Sequence, residues 1–179
     1  VTRTGTATGA VALLLVDTSD PGRQDVVTAN ARQIWRLADA AGPELRLGLA
    51  RFDTNPHVLA APGSPADAIR AAADGLRAVG MTTELYRSTL EAVRLLAADP
   101  APLRALYVFS DGQAEDFAYR HEDAVEAALE HDVVIVGLGY ARDVARSVAL
   151  QTLRRLAEDT GGRYVEAAAD RSLPEEFLA

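Results

Sequence analysis

The side chains that could do chemistry together in this chain are few and mostly oxygen-bearing. Asp17 closes an apolar run and Ser19 follows it by two residues. Thr82 and Thr83 form a pair mid-chain, and Asp111 stands between Ser110 and Gly112. Two carboxylates and several hydroxyls, with no His or Cys among them, make a hard-oxygen donor set. Such a set suits Mg²⁺, Mn²⁺ or Ca²⁺, with water completing the shell. Each residue also has a plainer role when taken alone. An Asp after a strand is a turn former or helix cap. Thr82 or Thr83 would serve as an N-cap, with Glu84 a favourable charge in the first turn. What favours a shared site is the combination and its order along the chain. Nucleophilic catalysis fits poorly, because no His is placed to activate Ser19. His57, His121 and His131 stand apart without ligand spacing and read as surface or structural residues.

Whether these residues meet depends on the elements that carry them. Residues 10–16 are continuously apolar and end at Asp17, as a strand buried on both faces of a parallel sheet does. A polar loop, 18–22, leads to helical spacing over 25–41, with Trp35 expected in the core. Strands are expected at 45–52 and 57–60, joined by the turn Asp53 to Pro56 and therefore antiparallel. Pro56 and Pro62 bracket the second of these, which suits a sheet edge. Ser64-Pro65 reads as N-cap and first helical position of a helix to about Ala78. Further expectations are a helix over 85–98, a strand over 103–109, a helix over 122–130 and a strand over 133–138. A helix over 143–160, a strand over 163–167 and a short tail helix capped by Ser172 complete the chain. Alternating strands and helices predict an α/β sandwich with a mostly parallel sheet. In such a sheet, ligands bind beyond the carboxyl ends of the strands where strand order reverses. If the strands ending at Asp17 and Asp111 are neighbours there, their carboxylates share one crevice. Asp20, Glu84, Glu115 and Asp116 fall on the same crevice loops and read as a solvated acidic rim.

Composition removes other classes. The chain has 179 residues, enough for one domain with its own core. Its net charge of −8 argues against nucleic acid or an anionic membrane as the main partner. All 18 basic residues are Arg, so Schiff-base chemistry and a P-loop lysine are excluded; the absence of Cys excludes thiol nucleophiles and thiolate metal sites. No apolar run approaches the ~20 residues of a membrane span. The Gly137-Leu138-Gly139 run lacks the third glycine of a dinucleotide fingerprint, with Arg142 in its place.

In order and spacing these motifs resemble the von Willebrand factor A domain family over residues 10–170. That family carries a metal-ion-dependent adhesion site: Asp-x-Ser-x-Ser after the first strand, a Thr before a helix, and an Asp, often in Thr-Asp-Gly, after the fourth strand. Asp17-Thr18-Ser19-Asp20-Pro21 matches the first motif except that Pro21 replaces the last Ser. Gly80-Met81-Thr82-Thr83-Glu84-Leu85-Tyr86 matches the second, aligning Thr83 best with Thr82 as the alternative. Ser110-Asp111-Gly112 matches the third. Gly48 to Phe52, and Leu156-Ala157 with Thr160 to Tyr164, match further family features. The resemblance implies a Rossmann-like three-layer sandwich: a mostly parallel six-stranded sheet with a short antiparallel edge strand, and helices on both faces.

The resemblance implies a metal site of Asp17, Ser19, Thr83 and Asp111, with Asp20 as a compensating ligand for the hydroxyl missing at Pro21. It implies a non-enzymatic interaction module, in which Mg²⁺, Mn²⁺ or Ca²⁺ accepts a carboxylate from a partner protein. The helix over 143–160 would be the one to shift on binding. Two alternatives differ in mechanism: a metal-independent scaffold with a degenerate site, and a divalent-metal phosphohydrolase using the paired aspartates. Residues 1–9 are expected as a tail or linker and 171–179 as a C-terminal tail, within a chain that is part of a larger protein. A cytoplasmic location without membrane insertion is expected, with all-Arg usage and abundant Ala pointing to a GC-rich bacterial genome.

Overall fold

The computed structural model describes residues 9–140 and 147–166. The expected N-terminal tail, the start of the last long helix and the C-terminal tail helix lie largely or wholly outside them. The first strand, β1 (Ala10–Asp17), is buried on both faces from Val11 to Val16, as its unbroken apolar run requires. Its odd-numbered residues Val11, Leu13 and Leu15 face one hydrophobic cluster, and Ala12, Leu14 and Val16 face the other. The remaining strands are β2 (Leu45–Phe52), β3 (Pro56–Ala60), β4 (Leu103–Ser110), β5 (Val133–Gly139) and β6 (Tyr164–Glu166). They form one sheet in the order β3-β2-β1-β4-β5-β6, with β3 alone antiparallel and at an edge.

The helices are α1 (Gln24–Ala40), α2 (Ala66–Asp74), α3 (Leu85–Ala97), α4 (His121–Glu130) and α5 (Ser147–Glu158). Val27, Ile34 and Leu37 of α1 and Ile69 and Ala73 of α2 cover one face of the sheet. Leu85, Val93 and Leu96 of α3, Ala124 and Ala128 of α4, and Leu153 and Leu156 of α5 cover the other. Each large side chain buried this way contributes about 1.5–3 kcal/mol. The result is the expected three-layer sandwich. Among the described residues, no helix is long and apolar enough to cross a membrane.

Chain order leaves β1 in one direction for β2 and crosses back over it to β4. The reversal point therefore lies between β1 and β4, and their register pairs Val16 with Phe109. Asp17 and Ser110 consequently leave the sheet side by side.

Three expectations need correction. The second helix is shorter than its periodicity predicts, ending at Asp74 rather than Ala78. The Gly75 amide closes it, and the chain then turns to bond elsewhere: Ala78 N donates to Gln24 Oε1, and Val79 N and Gly80 N donate to the Thr18 carbonyl. Ser64 does not cap this helix; Pro65 occupies the N-cap position and no side chain bonds there. Trp35 is not in the core but 40% exposed, with the Arg70 guanidinium 5.9 Å above its ring. Ile34 and Leu37 take the sheet-facing stripe of α1, which turns Trp35 to the flank.

Candidate functional site

Three loops meet at the carboxyl edge of the sheet. The first follows β1. Asp17 Oδ1 accepts from Ser19 N at 3.0 Å and from Ser19 Oγ at 2.6 Å, and Asp17 Oδ2 accepts from Ser110 Oγ at 2.7 Å. The second loop brings Thr83, which is buried, to within 2.5 Å of Ser19 Oγ through its own hydroxyl. Thr82, the alternative, makes no such contact. The approach depends on Gly80, where a Cβ would lie 2.9 Å from Ser19 Cα and 2.5 Å from Asp53 Cβ. Only a glycine lets the two loops come this close.

Neither threonine caps α3. Its first-turn amides are satisfied from the third loop, after β4: Asp116 accepts from Tyr86 N at 3.1 Å and Arg87 N at 2.8 Å. Glu115 accepts from Thr83 N at 2.7 Å and returns its own N–H to the Thr83 carbonyl at 2.8 Å. Glu115 is exposed, as expected of a solvated rim, and Asp116 is half-buried, but both also work as staples, Glu115 on Thr83 and Asp116 on the start of α3. Glu84 pairs with Arg87 at 3.3 Å. Asp116→Ala is expected to cost about 1 kcal/mol, the usual loss of a helix cap. In a protein of this size that lowers Tm by about 2–4 °C. Thermal circular dichroism checks it, and an unchanged Tm would mean water replaces the cap without loss.

Asp111 lies near Asp17, as expected, and has a partner that was not expected. It lies at the end of β4, and its Oδ2 is 2.6 Å from Nη1 of Arg23, with both side chains buried. Arg23 Nη2 also donates to the Tyr140 carbonyl beyond β5 at 3.1 Å. Pro21 explains how Arg23 arrives there. The segment Pro21–Arg23 is a single 3-10 turn with Pro at its start, capped by Asp20 Oδ1 accepting from Gly22 N at 2.8 Å. That turn folds Arg23 inward beneath the loop, and Asp20 serves as its N-cap.

Charge is unevenly met. Protein crowds Asp17 closely enough that burial pushes its carboxyl above the ordinary value; the nearby Asp111 adds to this, and bonds from Ser19 and Ser110 oppose it. Asp17 has no ion pair among the described residues, whereas Asp111 has Arg23.

Comparison with known proteins rests on the fold. No family model matches the sequence, nor does any curated protein. Solved structures do match. BatB from Bacteroides thetaiotaomicron superposes with a TM-score of 0.78 at 17% identity, covering 94% of this chain and 95% of that one. The vWF domain of the type V pili tip protein Mfa5 from Porphyromonas gingivalis gives 0.79 at 11% identity, covering 97% and 95%. A von Willebrand factor type A protein from Catenulispora acidiphila gives 0.76 at 18% identity, covering 96% of this chain and 41% of that one. The chain has the von Willebrand factor A fold.

Within that fold, the donor set at the sheet edge can be tested for a cation. Among the described residues, no three of His, Cys, Asp or Glu gather closely enough to hold a metal by themselves. A cation site here must draw on hydroxyls. Asp17 Oδ1, Ser19 Oγ and Thr83 Oγ1 form a continuous run of hard oxygens ending on a carboxylate without a counter-ion. These three fit a small divalent cation, with water supplying the remaining ligands. Pro21 has no hydroxyl to add.

Arg23 and Ser110 are the residues that sequence reasoning missed as site members. Ser110 was visible only as part of a motif. Arg23 carried a physical signal: a cation at the start of a helix opposes the macrodipole, so a carboxylate partner is to be expected. The glycines of the 137–139 run have a packing reason, since a Cβ at Gly139 would lie 2.2 Å from Tyr164 Oη. A cavity of about 750 Å³ lies on the flank of α1 beside Trp35 and Leu76, away from this edge.

Proposed function

We propose that this von Willebrand factor A domain is a non-enzymatic protein-interaction module whose binding face is the carboxyl edge of the sheet. Asp17, Ser19 and Thr83 would hold Mg²⁺, Mn²⁺ or Ca²⁺ there, with Asp111 acting through water. The cation, when bound, supplies a Lewis-acid position for a carboxylate of a partner protein. The observation that carries this reading is the meeting of Ser19 Oγ with both Asp17 Oδ1 and Thr83 Oγ1 at 2.6 and 2.5 Å, from residues 64 positions apart in the chain. The likeness to the fold of a pili tip protein supports an interaction role over a catalytic one.

A second reading is favoured by one observation, the Arg23–Asp111 pair. It already neutralises one of the two carboxylates. On that reading the same face binds its partner without metal.

Thermal unfolding in EDTA, then with each cation in excess, separates them. A cation at a hundredfold excess over its Kd adds about 2.7 kcal/mol. The expected result is a rise in Tm of roughly 5–10 °C. No shift at millimolar metal would leave the metal-independent reading.

A further inference from the structure

We infer that Arg23 is the specificity-determining residue of this edge: its guanidinium sets the charge of the site so that affinity for the bare cation is sacrificed for affinity towards an anionic partner group. The inference rests on the cation reading above and deepens it.

Asp17 and Asp111 bring two negative charges, and Arg23, 2.6 Å from Asp111, returns one positive charge. Both members of that pair are buried, so solvent screens them poorly. The three groups together carry one negative charge. A divalent cation on Asp17, Ser19 and Thr83 would leave the site one unit positive, and a partner carboxylate would bring it to zero. Without Arg23 the same cation would leave the site neutral, and a carboxylate would then add an uncompensated charge. Arg23 therefore repels the cation and attracts the anion that follows it.

The geometry shows that this charge is built in. Arg23 is held at both ends of its fork, by Asp111 and by the Tyr140 carbonyl at 3.1 Å. The 3-10 turn started by Pro21 fixes its approach. The departure at Pro21 thus removes one possible hydroxyl ligand and positions a cationic side chain, and both changes weaken binding of a bare metal ion. The other acids at the edge are engaged by backbone amides. Glu115 is bonded to Thr83 N, Asp116 to α3 amides, and Asp20 caps Gly22.

Calorimetric titration of MnCl₂ into the full chain tests this, with circular dichroism confirming that each variant folds. Removing a unit charge at this range is expected to tighten Mn²⁺ binding about tenfold or more in Arg23→Gln. Arg23→Lys should stay near wild type, and Arg23→Gln with Asp111→Asn, which restores one net negative charge, should fall back towards it. Acetate, read by proton relaxation as it displaces water from bound Mn²⁺, should bind Arg23→Gln more weakly than wild type. If Arg23→Gln does not fold, the double variant compared with Asp111→Asn makes the same test, and the double variant should bind tighter. Equal or weaker Mn²⁺ binding on loss of Arg23, with wild type still binding, overturns this inference and leaves the cation reading standing. No binding by any variant overturns both. Tight binding retained in the double variant would show that net charge is not the cause.

Discussion

Asp111→Ala is expected to lower the unfolding free energy by about 3–5 kcal/mol, because it strands the Arg23 guanidinium in the interior. In a chain of this size each kcal/mol moves Tm by about 2–4 °C, so the midpoint should fall by roughly 10 °C or more. The cause is asymmetric. The pair itself need not be worth that much, since two charges lost solvation to form it. Breaking it leaves an uncompensated charge with Nη2 still tied to Tyr140 O and little water to reach Nη1. Replacing both members by apolar residues, Arg23→Met with Asp111→Leu, should therefore recover most of the loss. Calorimetry in EDTA measures both variants. If the single variant is nearly neutral, water reaches Arg23 and the pair is not a buried one in solution. If the double variant is no better than the single, the loss is one of packing and not of charge.

The fold was legible because its signals are local and strong. The apolar run before Asp17 and the short turn at Asp53 to Pro56 each constrain one element, and the alternation of strands and helices gives the sandwich with its mostly parallel sheet. Expectation failed where a long-range partner outcompeted a local one. Helix α2 stops at Asp74 because Val79 and Gly80 are needed at the Thr18 carbonyl, a contact across sixty residues. Thr82 and Thr83 look like caps by local pattern, yet Asp116 takes that work from the loop after β4, some thirty residues on in the chain. Of the site, the convergence of Asp17, Ser19 and Thr83 could be read from motif order. The partner of Asp111 could not, because nothing in the spacing Asp17 to Arg23 says that a 3-10 turn will fold the guanidinium inward.

Asp17→Asn is expected to do two opposite things: stabilise the metal-free protein at neutral pH and abolish any stabilisation by a divalent cation. Burial raises the Asp17 carboxyl above its ordinary value of 3.8, so the unfolded chain gives up this proton before the folded one does. Between those two points the folded state holds more protons, and stability falls as pH rises through that window. Above that window the whole cost of the buried charge is present. Asparagine removes it while keeping most of the bonding. Its Oδ1 can still accept from Ser19 N and Ser19 Oγ, and the Ser110 hydroxyl can turn to accept from the new amide. Each kcal/mol relieved should raise Tm by about 2–4 °C. The advantage over wild type should vanish below pH 3.8, where Asp17 is protonated in both states. With a cation present the order should reverse, because wild type gains the binding energy and the variant, lacking the anchoring charge, does not. Melts across pH, with and without Mg²⁺, therefore give a crossing pattern that a purely structural Asp17 would not produce. A variant less stable than wild type in EDTA at every pH would show that Asp17 is a stabilising cap, and the case for a cation at this edge would lose its anchor.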